Sequence, residues 1–265
     1  MSDTLSAEAE AERDAFKRRL RLACIWSWPV CVVTFFAFFA ILAGFIPPPD
    51  PSWTAKEFAQ FYADNRTGVR VGLLGAMFAS ALLLPFLTVV SQEMRRIEGP
   101  GALLAPIQYG GAVMLTLVFQ IICLFWLLAS FRPEIDTDTI RAFTDFGWFV
   151  WSMYIPTYVL QFVAMGLAGF MDKREVPLWP RWAAYFNLWV AVLGAGGVLA
   201  VFFKTGPFAY NGLMGFWIPV IVFAAGMTMT FVLLRKRHLY ENDLDRRDAE
   251  AAPHQDDRVP AGAGV

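Results

Sequence analysis

Residues 107–131 read IQYGGAVMLTLVFQIICLFWLLASF, 25 residues without an Asp, Glu, Lys, Arg or His. A helix rises about 1.5 Å per residue and a bilayer core is about 30 Å thick, so ~20 such residues suffice to cross it. A buried helix of a soluble protein keeps a polar face, and this stretch has none. Five further blocks share the property: Cys24–Ile46, Val71–Val90, Phe146–Phe170, Ala183–Phe203 and Leu213–Leu234. The sequence therefore predicts an all-α polytopic membrane protein with six transmembrane helices arranged as three hairpins. Only 17% of its 265 residues are charged, against ~25% in soluble domains.

The first block runs into Pro47–Pro49 with no small-residue cleavage site, and the segment before it carries Asp3, Glu8, Glu10, Glu12 and Asp14. It reads as a retained helix and not as a cleaved signal. Lys and Arg then set the orientation. Sixteen fall in the N-terminal segment, the second and fourth loops and the C-terminal segment, against six on the opposite side. Both termini are expected to be cytoplasmic. The chain divides into a cytoplasmic segment 1–23, a six-helix domain 24–235 and a disordered tail 236–265. The arginines of the first segment suit anionic lipid headgroups.

On the outer side, Thr54 and Glu57 form a capping box, followed by Phe58, Phe61 and Tyr62 on one helical face. A short helix over 54–63 is expected, lying at the outer interface with its rings toward bilayer or bundle. Loop three offers Asp136 or Thr137 as a cap before Ile140 and Phe143. Trp53, Trp148 and Trp217 outside, with Trp179 and Trp182 inside, read as interface anchors.

Chemistry is scarce. The only two histidines, His238 and His254, lie in or beside the tail, and no metal-ligating or phosphate-cradling motif is present. Cys24, Cys31 and Cys123 read as small buried hydrophobes. Neither a cofactor nor a metal is implied, nor is nucleic acid a partner. The GAGG at 194–197 and the strip Gly68, Gly72, Ala76 and Ser80 read as close helix packing. Arg70, Asp145 and Lys204 mark outer helix ends, where they either contact an anionic or zwitterionic ligand or snorkel and pair.

The most informative interior feature is the polar stripe Tyr154, Thr157, Tyr158 and Gln161 beside Pro156. Thr116 and Gln120 answer from the third helix and Asn187 from the fifth. Neutral polar groups in hydrocarbon need partners, so the stripe should face the bundle interior. Counting from the block ends pairs Gln120 with Thr157 or Tyr158, and Thr116 with Gln161. Such a stripe serves either as glue between helices or as the lining of a pocket for a small hydrophobic or neutral ligand.

The motifs FYADNRTGVRVG, RAFTDFGW, PRWAAYFNLW and FFKTGPFAYNGLMGFW, within residues 50–235, resemble those of an uncharacterised group of bacterial six-helix integral membrane proteins. The resemblance implies a six-helix unit in the bacterial cytoplasmic membrane and carries no activity. The expected functions are then binding or passage of a small molecule, or a structural role as an accessory subunit packed against a membrane partner or a second copy. An enzyme using tyrosine or outer-loop charges is the third.

Overall fold

The computed structural model describes residues 2–251, and among these there is no strand. Nine α-helices follow one another: α1 Ser2–Phe36, α2 Ala55–Asp64, α3 Arg66–Ser80, α4 Leu83–Glu98, α5 Leu104–Phe131, α6 Thr137–Met153, α7 Ile155–Met171, α8 Arg181–Gly194 and α9 Ile218–Ala251. They assemble into six continuous stretches long and apolar enough to cross a membrane, one over each uncharged block. The stretches are α1 with the π-turns after it, α3–α4, α5, α6–α7, α8 with its extension, and α9 with the π-turn before it.

Most of these spans are irregular near their middle or toward the end that carries α2, and the causes can be read residue by residue. Between α3 and α4 the chain tightens at Ala81–Leu82, where Ala81 N–H bonds Phe78 C=O and Leu82 N–H bonds Ala79 C=O. Pro85 follows and has no N–H to return to Ala81, so a regular helix cannot run through this point. The break at Tyr154 between α6 and α7 precedes Pro156 for the same reason. α8 gives way to a 3₁₀ stretch, Ala195–Phe202, at Gly194, Gly196 and Gly197. Leu213–Trp217 forms a π-turn just ahead of Pro219, and Ala37–Leu42 another at the end of the first span. Non-helical backbone at membrane depth survives only where protein or a cavity surrounds it.

α5 occupies the middle of the bundle, packing on α3, α4, α6 and α7, while α1 packs on α3, α4 and α9. The strip on α3 makes the close approach expected of it. A Cβ on Gly72 would stand 2.6 Å from the Phe38 carbonyl oxygen and 2.7 Å from Ala43, so the end of the first span lies directly on the α3 backbone. Arg70 caps α5, its guanidinium donating to the terminal carbonyls of Ser130, at 3.2 Å, and Phe131, at 2.7 Å.

The capping box at α2 is present in full. Thr54 N–H donates to Glu57 Oε2 at 2.6 Å, and Glu57 N–H donates to Thr54 Oγ1 at 3.3 Å. The Thr54 backbone and hydroxyl hold the Glu57 carboxyl below its usual range. Of the two faces expected for its rings, bilayer or bundle, the structure shows the bundle. Phe58 and Tyr62 are buried, α2 packs on α6, and Thr144 Oγ1 donates to Tyr62 at 3.0 Å. Thr54→Ala should raise hydrogen exchange over residues 55–64 about fivefold, equivalent to about 1 kcal/mol of lost cap. Unchanged exchange there would show the cap to be idle.

With α2 folded over this end, Trp148 lies in an aromatic core and not at an interface. Its ring centroid is 4.8 Å from Trp126 and 5.6 Å from Tyr210, and Phe45 is 4.9 Å from Trp126. Trp179 at the opposite end is also fully buried and donates to Thr230 Oγ1 at 3.3 Å. Both correct the anchor reading, whereas Trp182 and Trp217 remain exposed. Residues 236–251, assigned above to a disordered tail, continue α9 as helix; residues 252–265 lie outside the described residues.

Candidate functional site

A cavity of about 130 Å³ lies inside the bundle at the level of the helix breaks. Ser80 and Leu83 reach it from the α3–α4 break, and Ser152, Tyr154 and Ile155 from the α6–α7 break. Gly194 reaches it from the end of α8, and Gly215 and Pro219 from the π-turn before α9. Four spans thus lose regular helix around one space. The breaks follow from local proline and glycine chemistry; their convergence is what creates the site.

The remaining wall is aromatic and aliphatic, with Trp28, Phe35, Phe119, Trp151 and Phe223 prominent. No charged side chain lines it. A cavity of this size and character takes a group about as large as a benzene ring. Its polar handles are few. Tyr158 donates its hydroxyl to Val190 C=O at 3.1 Å, and Ser80 donates to Met77 C=O at 2.7 Å, so both donors are occupied. Ser152 Oγ and Tyr154 OH are buried with no hydrogen-bond partner. The arrangement can hold an apolar group and bond one polar atom on it. Cys31 also lines the cavity, and no Asp, Glu, His, Lys or Arg does.

Of the residues singled out in the sequence, Tyr154 and Tyr158 line this cavity, and Thr116, Gln120, Thr157, Gln161 and Asn187 do not. The level-matched pairs are corrected by the register. α5 and α6 stack Phe125 on Phe146 with centroids 3.9 Å apart, and Trp126 Nε1 donates to Thr144 C=O at 3.2 Å. Carried down the hairpin, this sets Gly111 opposite Gln161, whose Cβ would lie 3.3 Å from a Cβ built on that glycine. Thr116, five positions further along α5, bonds its own helix instead, donating to Ala112 C=O at 3.0 Å. Gln120 is only half-buried, and no described hydrogen bond joins it to α7.

Gln161 and Asn187 are fully buried with both amide atoms unpartnered, as is Gln108, which the sequence reading passed over. Gln108 lies one turn before Gly111 on the same face of α5. Three buried amides therefore lie on α5, α7 and α8, of which α7 packs on both of the others. Among the outer-end charges, Arg70 is committed to the α5 cap, Asp145 is half-buried and Lys204 is exposed.

The other end of the bundle holds a group of which only the arginines figure in the sequence analysis, within the count of basic residues. Glu93 of α4 is 0% exposed and is surrounded by four guanidiniums. Arg21 of α1 bonds one carboxylate oxygen, and Arg96 of α4 meets the same oxygen at 2.9 Å. Arg174, in the segment after α7, bonds the other at 3.1 Å, and Arg237 of α9 lies 3.4 Å from it. Glu241 answers Arg237 at 3.0 Å and Arg96 at 3.6 Å. Arg174 is itself held by Asp172, through contacts of 2.7 Å. Burial raises the Asp172 carboxyl, but the Arg174 bonds and the Leu178 N–H outweigh it and leave it below its usual range. One carboxylate thereby ties the ends of α1, α4, α7 and α9. A carboxylate so placed depends on its three largely buried partners, Arg21, Arg174 and Arg237.

Comparison with protein-family models, with curated proteins and with solved structures finds no match to the chain.

Proposed function

We propose that this protein binds a small hydrophobic or neutral molecule, or the apolar part of a larger one, in the cavity at the helix breaks. The observation that carries the reading is that four spans give up helical hydrogen bonding around one apolar space bearing two unpartnered hydroxyls, Ser152 and Tyr154. Broken helices around a midplane site are how many membrane transporters build their binding sites. An accessory protein that only packs against others gains nothing from them. The Glu93 cluster closes the bundle at the far end from the aromatic core, so a guest would reach the cavity from the membrane or past the outer lid.

We place both termini in the cytoplasm, with the membrane being the bacterial cytoplasmic membrane that the resemblance implies. The sixteen-to-six bias of Lys and Arg supports the orientation. So does the gathering of Arg21, Arg96, Arg174 and Arg237 at a single end. A periplasm-dependent reporter fused after Asn65 should be active and the same reporter fused after Arg96 silent; the reverse pattern would invert the topology.

The binding reading is tested by native mass spectrometry of the detergent-extracted protein. The wild type should carry a small co-purifying mass, and a Ser152→Ala/Tyr154→Phe double variant should retain about tenfold less of it. That estimate takes about 0.5–1.5 kcal/mol for each hydrogen bond. Neither change alters the fold's volume, so equal retention by both proteins would place the guest elsewhere.

The alternative, an accessory subunit or a homo-oligomer, is favoured by one feature. Trp182, Tyr185 and Trp189 form an exposed aromatic ridge along α8, with Trp189 well inside the apolar span. A bare monomer mass in the cavity test, together with a stable complex that α8 substitutions dissolve, would favour it.

A further inference from the structure

α1 and α9 run side by side beyond their apolar stretches, and a cleft of about 800 Å³ opens between them. Arg18 and Arg19 line it from α1, and His238, Asn242, Asp245 and Arg246 from α9. Three guanidiniums therefore face one carboxylate. The single ion pair in the cleft, Arg18 to Asp245, is 3.9 Å long and well exposed at both ends, so it neutralises little. Among residues 9–247, whose side chains are described, neither Arg19 nor Arg246 has an ion-pair partner. At the floor lies His238, 4% exposed, with its Nε2 3.2 Å from Asn242 Nδ2. Behind it, Arg21 is taken up by Glu93 and Glu241.

The depth of the cleft matches a particular part of the bilayer. Uncharged sequence begins at Cys24 on α1 and ends at Leu234 on α9. Trp26, with the Arg235 guanidinium 5.8 Å from its ring centroid, marks the same level. At the membrane-proximal end of the cleft, Arg19 and His238 lie four or five residues beyond those ends, about 6–8 Å along the helix axis, which is the depth of lipid phosphates. The cleft runs on from there to Arg246, about 18 Å beyond Leu234. The cleft is open to solvent along much of its rim, and its volume exceeds a phosphate ion several-fold.

We infer that this cleft binds the phosphodiester headgroup of an anionic glycerophospholipid, with Arg18 and Arg19 contacting the phosphate and Asn242 and Arg246 the part of the headgroup beyond it. Arginine suits the role because its planar donors meet phosphate oxygens in pairs. The bound lipid would seal α1 to α9 beside the Glu93 cluster. The inference needs the six spans to lie in a bilayer, but it does not need a guest in the cavity, so the two can fail separately.

The test uses the full-length protein taken from nanodiscs with equal phosphatidylglycerol and phosphatidylcholine, read by native mass spectrometry. The wild type should retain phosphatidylglycerol at least about tenfold over phosphatidylcholine, because each arginine near the headgroup favours the net negative lipid. Arg18→Gln/Arg19→Gln/Arg246→Gln should erase the preference. Arg13→Gln/Arg95→Gln/Arg181→Gln, an equal charge change outside the cleft, should keep it. Equal retention of the two lipids by the wild type overturns the inference whether or not the variants fold. So does equal loss in both variants, which would mean a diffuse charge effect. Displacement of the lipid by millimolar inorganic phosphate alone would mean that the cleft is a free-anion site.

Discussion

Glu93→Ala should leave almost no folded protein in detergent. The substitution removes one carboxylate and strands four arginines, three of them largely buried, in a shared site where they repel one another. Deleting one partner of a buried ion pair typically costs about 3–5 kcal/mol, comparable to the whole stability of many proteins. Glu93→Gln should be nearly as damaging, because an amide can accept hydrogen bonds but cannot balance the charge. Arg96→Gln should cost far less, since that side chain is half exposed and water can replace its contact. Folded yield by size-exclusion chromatography ranks the three. If Glu93→Ala matches the wild type, the cluster is a surface arrangement and the ends of α1, α4 and α9 are held by packing alone.

Gly72→Leu should be the next most severe change. A Cβ at this position already falls within 2.6 Å of a backbone oxygen, so the obstruction cannot be relieved by turning a side chain. The first span and α3 would have to separate, and the break at Ala81–Leu82 would move with them. Overpacking of this kind costs about 1–3 kcal/mol where neighbours can yield, and more against backbone. Gly110→Leu is the control, because a Cβ there meets nothing within 4 Å. Wild-type yield for Gly72→Leu, or equal losses for both variants, would contradict the close contact.

These outcomes separate what was legible in the sequence from what was not. Six uncharged blocks became six spans because hydrocarbon tolerates no other reading of twenty apolar residues. The Thr54–Glu57 box and the α3 strip were legible for a similar reason, since both are local patterns with a single geometric use. The hairpin register was not. It was counted from Phe146, where charge stops, yet α6 begins at Thr137 and carries Arg141 and Asp145 through its first turns. The turn therefore sits nearer to α5 than block ends suggest, and Gly111 replaces Thr116 opposite Gln161.

Tertiary context decided the rest. Trp148 looked like an anchor because sequence shows which end of a span a tryptophan occupies, not that α2 folds over it. Glu93 lay just past an apolar block, where a lone carboxylate reads as solvated; its burial depends on arginines from three distant segments. The cavity was half visible. Tyr154 and Tyr158 lie on the polar stripe, but Ser152 and Trp28 become neighbours only when four breaks coincide. Arg237 and Glu241 likewise extend order along α9 where composition alone predicted a tail.

The central claim, that the coinciding breaks hold a guest, is tested most directly by an experimental density map of the protein extracted from its membrane with no ligand added. The account predicts density for an apolar group between Trp28, Phe119 and Phe223, with one polar atom within hydrogen-bonding distance of Ser152 Oγ or Tyr154 OH. A map in which the Tyr154 ring or its neighbours close the space, leaving a solid core through all four breaks, would contradict it.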